Sequence, residues 1–327
     1  MLLGIGLELG ANCLRSAVSN AATVSLTMQM DWKFNVQFAG LLLADYQHFY
    51  ADSGLEVTLR PWESGMVVPN EVVANPTILG CAEQNLILSA QAEGAPIRAI
   101  ATLFQSSPLG LMVLPDSNIR SLQDLVGQKV GMHVDGLKVM ALVAGVSHLA
   151  PDAIEVVPIP YEDKYARLLS GELAAVQCYA IDEPIGFQAQ SGIEPVILRL
   201  SDYGYGAYAQ VICAHADLLA TEPEAVKQFL AATFRGWQAT LADIPKAAEM
   251  VVKHYVAPDS PYADLDYQTR SLTQIADYML LGMESTRLGM INPDRWMRTA
   301  QQFTNYAIIE TAPALEESLA AGFWPLT

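Results

Sequence analysis

A carboxylate, an indole and an amide, Asp31, Trp32 and Asn35, stand together in the stretch D-W-K-F-N, directly after an alternating apolar segment. The same kind of grouping recurs past later apolar runs. Cys81 and Glu83 follow Ile78-Leu79-Gly80, Gln105 and Ser106 follow Ile97 to Phe104, and His133 with Asp135 follows Lys129 to Met132. Tyr179 precedes Glu183 by four positions, and Tyr203 and Tyr205 flank Gly204. Flat rings, amides and carboxylates predominate, and Lys33 and Lys138 are the nearest basic residues. Such a set suits a flat heterocycle bearing N–H donors. It suits a bare sulfonate or nitrate poorly, because those anions require Arg, Lys or several N–H groups.

Taken singly, each residue has a plainer role. Trp32 could anchor a loop, Glu83 could favour a helix N-terminus, and Asp182-Glu183-Pro184 reads as a solvated turn. Tyr203 and Tyr205 alternate, so only one can face a cleft. The collective pattern carries the expectation. No constellation joins a nucleophile to a base: there is no G-x-S-x-G elbow, no phosphate-binding G-x-x-x-x-G-K loop and no paired histidine spacing. Cys81, Cys178 and Cys213 lack any C-x-x-C spacing and read as buried thiols. The expectation is a binding protein for a small molecule, not an enzyme, with no cofactor and no metal.

Composition agrees. The 327 residues are 52% hydrophobic and only 16% charged, so the chain must bury a large core. At about 150 residues per domain that length implies two lobes. A formal net charge of −17 repels phosphate backbones and anionic lipid, which excludes nucleic acid as a partner.

The elements that must position these loops alternate. Thr23–Met28 reads as a strand, Val36–Asp52 as a helix, and Leu55–Pro61 and Thr77–Gly80 as strands. Gln84–Glu93 reads as a helix and Ile97–Phe104 as a strand, so the unit is a parallel sheet with covering helices. A second unit follows from Ser117, with strands at Lys129–Met132, Ile154–Ile159 and Ala174–Tyr179 and helices at Gly136–His148 and Tyr161–Ser170. Gly206–Ala214 returns the chain. After Glu222 the pattern is helical, with helices over 223–241, 245–255, 265–281 and 293–309, most opening near a proline or an acidic residue. The predicted boundaries are 23–113 with 208–327 for the first lobe and 114–207 for the second, joined by extended hinge segments near Leu109–Pro115 and Gly206–Ala214. Residues 1–22 read as an export signal cut short at its start. The small residues Ser19-Asn20-Ala21 mark a cleavage pattern, and Leu9–Cys13 resembles a lipoprotein box.

DWKFN (Asp31–Asn35) and the following FAGLLLADYQHFYADSGLEV (Phe38–Val57) resemble the opening of type II periplasmic substrate-binding proteins. The branch is that for thiamine-pyrimidine precursors, alkanesulfonates and related solutes. EGAPIRAIATLFQSSPLGLMV (Glu93–Val113) and SLQDLVGQKVGMH (Ser121–His133) resemble that family's segments leading into the hinge and the second lobe. LLSGELAAVQCYAIDEP (Leu168–Pro184) and DYGYGAY (Asp202–Tyr208) resemble the return. The resemblance implies an α/β, two-lobe type II periplasmic-binding-protein fold with a hinge and a helical C-terminal layer. It also implies an extracytoplasmic location and delivery of one small solute to an ABC importer permease. In the pyrimidine-precursor binders a Tyr four residues before a Glu stacks on the aminopyrimidine and the Glu accepts from its amino group, which implies those roles for Tyr179 and Glu183. An Asn in the D-W-x-x-N loop contacts ligand there, which implies the same for Asn35. A related branch is a pyrimidine synthase that uses a His and a Lys. This chain has neither at the corresponding Asn35–Gly40 and Leu79–Glu83 segments. The expected ligand is a hydroxymethyl- or formylaminomethyl-pyrimidine, the alternatives being an alkanesulfonate or other small organic solute and, in another class, a pyrimidine synthase.

Overall fold

In the computed structural model the described residues are 23–160, 163–281, 284 and 287–323. The export signal and the Cys13 lipoprotein box expected over 1–22 lie outside them. Ten strands form two sheets: β1 (Val24–Gln29), β2 (Leu55–Arg60), β3 (Ile78–Ala82), β4 (Ile97–Phe104), β5 (Leu109–Val113), β6 (Lys129–Met132), β7 (Glu155–Pro158), β8 (Ala175–Tyr179), β9 (Val196–Arg199) and β10 (Ala209–His215). The helices of the two lobes are α1 (Ala39–Tyr46), α2 (Phe49–Asp52), α3 (Val68–Ala74), α4 (Gln84–Ala92), α5 (Leu137–Val146), α6 (Lys164–Leu169) and α7 (Glu183–Ser191). The C-terminal helices are α8 (Ala216–Thr221), α9 (Pro223–Ala242), α10 (Ile244–Tyr255), α11 (Leu265–Leu280), α12 (Pro293–Asn305) and α13 (Leu315–Ser318).

The first sheet runs β2-β1-β3-β10-β4 and the second β7-β6-β8-β5-β9. Each has three parallel strands at one side and one antiparallel strand inserted fourth, β10 in the first and β5 in the second. This is the two-lobe α/β architecture expected. One boundary differs. Leu109–Val113, expected in the first lobe and its hinge, pairs with β8 and β9 in the second sheet. The first passage between sheets is therefore 105–108, and the second is the stretch before Ala209. An apolar extended segment between two sheets can join either one. Leu109–Val113 is buried along its whole length, which requires a neighbour on each side, and only the second sheet offers two.

Local chemistry explains other departures. The helix expected over 36–52 breaks at His48, which holds φ 58 and separates α1 from α2. Glu183-Pro184, whose plainer reading is a solvated turn, opens α7: Pro184 sits in its first turn and Gly192 closes it at φ 73. The C-terminal layer covers the first lobe through α9, α10 and α11. It does not return wholly there, because α12 packs its Phe303 on Tyr205, and Lys138 of α5 donates to the Ile308 carbonyl at 2.9 Å.

The α1–α9 crossing is close because two glycines meet. A Cβ on Gly236 would stand 2.1 Å from the Gly40 carbonyl oxygen, and one on Gly40 would stand 2.2 Å from the Trp237 ring. Backbone cannot yield as a side chain can, so Gly236→Ala must spread the helices. A loss of about 2–3 kcal/mol is expected, read as a lower urea midpoint at unchanged slope. An unchanged midpoint would show that the crossing relaxes freely.

Candidate functional site

The carboxyl ends of the strands of both sheets face one another, where open α/β sheets place ligands. From the first sheet, the chain leaves β1 into Asp31 and Trp32. The Asp31 carboxylate accepts from Gln210 Nε2 at 2.9 and 3.1 Å, and Gln210 Oε1 accepts from Cys81 Sγ at 3.0 Å. Gln210 lies within β10 yet holds φ 52, a left-handed conformation that costs a non-glycine residue energy. Glu83 follows β3 in extended conformation and leads into α4. Its carboxylate accepts from the Tyr179 hydroxyl at 2.8 Å and from Ser107 Oγ at 3.4 Å. Since Tyr179 ends β8, the first of these bonds joins the two sheets directly.

Desolvation, and then the Asp31 charge beside it, pushes the Glu83 carboxyl up to about 8. Desolvation likewise raises Asp31 to about 7 against the pull of its Gln210 bond. Asp135, across the gap, adds to both shifts. Neither Asp31 nor Glu83 has a cation beside it in an ion pair among the described residues. Protons are therefore held in this cluster near neutral pH.

The second lobe contributes a buried cation that the sequence reading missed. Lys164, 2% exposed, donates to the Gln177 carbonyl at 3.1 Å, to His133 Nε2 at 3.1 Å and to the Glu183 carboxylate. His133 Nδ1 meets the Ile159 carbonyl at 3.1 Å, so that nitrogen is the one that carries the proton and Nε2 accepts. Burial, then the Lys164 charge, lowers the His133 pKa and keeps the ring neutral. The other Glu183 oxygen accepts from the Tyr179 backbone N–H at 2.6 Å. Gln177, inside β8, accepts from the His133 N–H at 3.0 Å and reaches the Asp135 carboxylate at 3.3 Å. Gly136 is required beside it, because a Cβ there would stand 2.0 Å from Gln177 Oε1.

A second strut crosses the cleft through the C-terminal layer. Trp32 stacks on Trp62 with centroids 5.2 Å apart and donates to the Tyr262 hydroxyl at 2.7 Å. Tyr262 donates at 3.2 Å to Asp182, which also accepts from the Tyr267 hydroxyl. Burial raises Asp182 to about 6.

The structure thus gathers Trp32, Cys81, Glu83, His133, Tyr179 and Glu183 around one interlobe surface. It places the other expected site residues elsewhere. Asn35 caps the turn Val36–Phe38, its Oδ1 accepting from the Gln37 N–H at 2.6 Å and its Nδ2 donating to Lys33 O at 3.2 Å. Gln105 is buried and donates to the Met290 carbonyl at 2.9 Å. Tyr205, 1% exposed, is a core ring stacked on Phe303, and Tyr203 is half-buried against the same core. Ser106 lines a separate cavity of about 570 Å³ between α7 and α11, with Arg199, Arg270 and Tyr278. Among the described residues no cluster of His, Cys, Asp and Glu is arranged to hold a metal, and no helix is long and apolar enough to cross a membrane.

The model of the family described as "NMT1/THI5 like" matches residues 35–248. The chain belongs to the NMT1/THI5-like family. Among its relatives, the riboflavin-binding protein RibY of Chloroflexus aurantiacus is 26% identical over 298 residues, covering 88% of this chain and 82% of its own. The 4-amino-5-hydroxymethyl-2-methylpyrimidine phosphate synthase of Legionella pneumophila is 27% identical over 239 residues, covering 69% and 72%. In fold, the alkanesulfonate-binding protein SsuA of Xanthomonas axonopodis pv. citri superposes with a TM-score of 0.69 at 14% identity, over 92% of this chain and 100% of its own.

The NMT1/THI5-like match contains Glu83, Lys164, Tyr179, Glu183 and Gln210, but neither Trp32 nor Tyr262. Signals for some of the missed residues were present. Gln177 and Gln210 each interrupt an apolar strand, and a buried polar side chain there must have a partner. Nothing in the sequence marked Lys164, which begins a short helix, or Tyr262 and Tyr267, whose partner lies on the other lobe.

Proposed function

We propose that the protein is the extracytoplasmic solute-binding component of an ABC importer, and that it captures a flat heteroaromatic solute of the aminopyrimidine type between its lobes. The observation that carries this reading is the Tyr179–Glu83 contact, at which a ring from one sheet meets a desolvated carboxylate from the other, beside Asp31 and the Trp32–Trp62 stack. A ligand favours a closed state only by touching both halves at once. The names of the relatives support the ligand class, and SsuA supports the mode of capture. A sulfonate is disfavoured because Lys164, the buried cation on the second lobe, is already neutralised by Glu183. The synthase reading is disfavoured too. The structure does bring a Lys and a His together, but the buried Lys164 Nζ is already engaged by His133, the Gln177 carbonyl and Glu183.

A flavin is the second reading, favoured by RibY, the relative aligned over 88% of the chain. A thermal-shift screen of aminopyrimidines, thiamine, flavins and alkanesulfonates decides between them. A ligand at about 100 times its dissociation constant adds about 2.7 kcal/mol of stability. A shift with alkanesulfonates alone would overturn the proposal.

Trp32→Ala is expected to weaken binding of the aromatic hit more than tenfold, since an aromatic contact contributes about 0.5–1.5 kcal/mol beyond its buried area. Calorimetry measures this. Unchanged affinity with a lower melting temperature would assign Trp32 to packing on Trp62 and Tyr262 alone.

A further inference from the structure

Resting on the aminopyrimidine reading above, we propose that the cleft holds its ligand as a cation. The ring is protonated, and its edge of ring N–H and amino N–H is seated on the Asp31 and Glu83 carboxylates.

The first-lobe side of the cleft presents acceptors. Gln210 Nε2 approaches Asp31 and the Tyr179 and Ser107 hydroxyls approach Glu83, and none of these donors carries a charge. The titratable groups in electrostatic reach of the two carboxylates are Cys81, Asp135, Tyr179 and the core ring Tyr205, none of them cationic. The cation opposite, Lys164, is held by Glu183 and His133.

An independent observation points the same way. Asn85 lies two residues past Glu83, is 7% exposed, and donates through Nδ2 to the Asp135 carbonyl at 3.3 Å. Its Oδ1 has no partner among the described residues. A buried amide oxygen left unpaired costs about 1–3 kcal/mol, so an acceptor two residues from Glu83 is left without a donor among the described residues. Gln210 is kept in a left-handed conformation where it meets Asp31, so the acceptor is positioned at an energetic cost to the fold.

A neutral aminopyrimidine can accept from one protonated carboxyl but leaves the second carboxylate without a positive partner. A protonated one adds a ring N–H donor to its amino N–H groups and places a positive charge against the two carboxylates, as charge-assisted hydrogen bonds favour. The proton is supplied within the site: a carboxyl O–H bond breaks and the ring N–H bond forms. Near pH 7.5 the carboxyl pair holds about one proton, so the transfer is internal and little proton exchanges with solvent. Well above pH 8 the pair is empty and binding must draw one proton from solvent. Below pH 6 both carboxyls are protonated, so binding must release protons.

Calorimetry with 4-amino-5-hydroxymethyl-2-methylpyrimidine, from roughly pH 5.5 to 9 in phosphate and Tris, tests this. The expected result is a maximum in affinity between about pH 7 and 8, with a fall of about tenfold per unit above it and uptake approaching one proton per ligand. Glu83→Gln, which still accepts from Tyr179, should weaken binding at least tenfold at pH 7.5. Affinity that is flat with pH, with no proton uptake, overturns the cationic mode and leaves the aminopyrimidine reading standing. Absence of binding at every pH overturns both.

Discussion

Replacing Glu183 with Gln is expected to destabilise the fold by about 3 kcal/mol, and adding Lys164→Met is expected to restore much of that loss. Lys164 is buried, and its ammonium is neutralised by one Glu183 oxygen while the other holds the Tyr179 backbone. Gln leaves that ammonium without a counter-charge in a site that water scarcely reaches. Methionine in place of Lys164 removes the orphaned charge and keeps the apolar stem. Urea unfolding of the two single variants and the double variant forms a cycle whose coupling term isolates the pair. An unchanged midpoint for Glu183→Gln would show a contact of no consequence. It would also return Glu183 to the ligand-accepting role implied by the Tyr-x-x-x-Glu resemblance.

Glu83→Gln should do the opposite to stability. The Glu83 carboxyl sits at about 8 in the fold against an ordinary 4.5, so the folded state keeps a proton that the unfolded chain has lost. That contribution is complete below pH 4.5 and disappears as pH rises through 8. The ligand-free parent should therefore lose stability across that window relative to the variant, which carries no charge to desolvate. At pH 8 the variant is expected to be more stable by about 2 kcal/mol, the full shift being discounted for the partial exposure of the side chain. Urea midpoints of both proteins at pH 5 and pH 8 give the difference. Equal pH dependence in parent and variant would show that Glu83 is solvated. Stability lost at the carboxylate proposed to bind ligand is the usual trade between site and fold.

The two predictions concern acidic residues that both follow strands, of which the resemblance singled out Glu183 alone. The structure separates them by what stands opposite. Glu183 meets a lysine, and Glu83 meets a tyrosine and another carboxylate. Both partners come from distant segments: Lys164 precedes Glu183 by a helix and a strand, and Tyr179 belongs to the other sheet.

The periodicity of apolar residues determined the strands of the first lobe, most of its helices and the two-sheet plan, because alternation and helical spacing are local properties with a buried face to satisfy. The loops that follow those strands could be named in advance, and Trp32, Cys81, Glu83, His133, Tyr179 and Glu183 are brought together between the sheets. Which sheet would claim Leu109–Val113 was not legible, since an apolar extended segment carries no mark of its neighbour. Nor was it legible that Asn35 would be consumed in capping a turn, that Tyr205 would turn into the core against Phe303, or that Lys164 would be drawn inside by Glu183 and His133. Those outcomes depend on which groups are left to satisfy one another once the lobes are packed. The free energy of a buried polar group is set by its partner and by the exclusion of water around both, and neither is local in sequence.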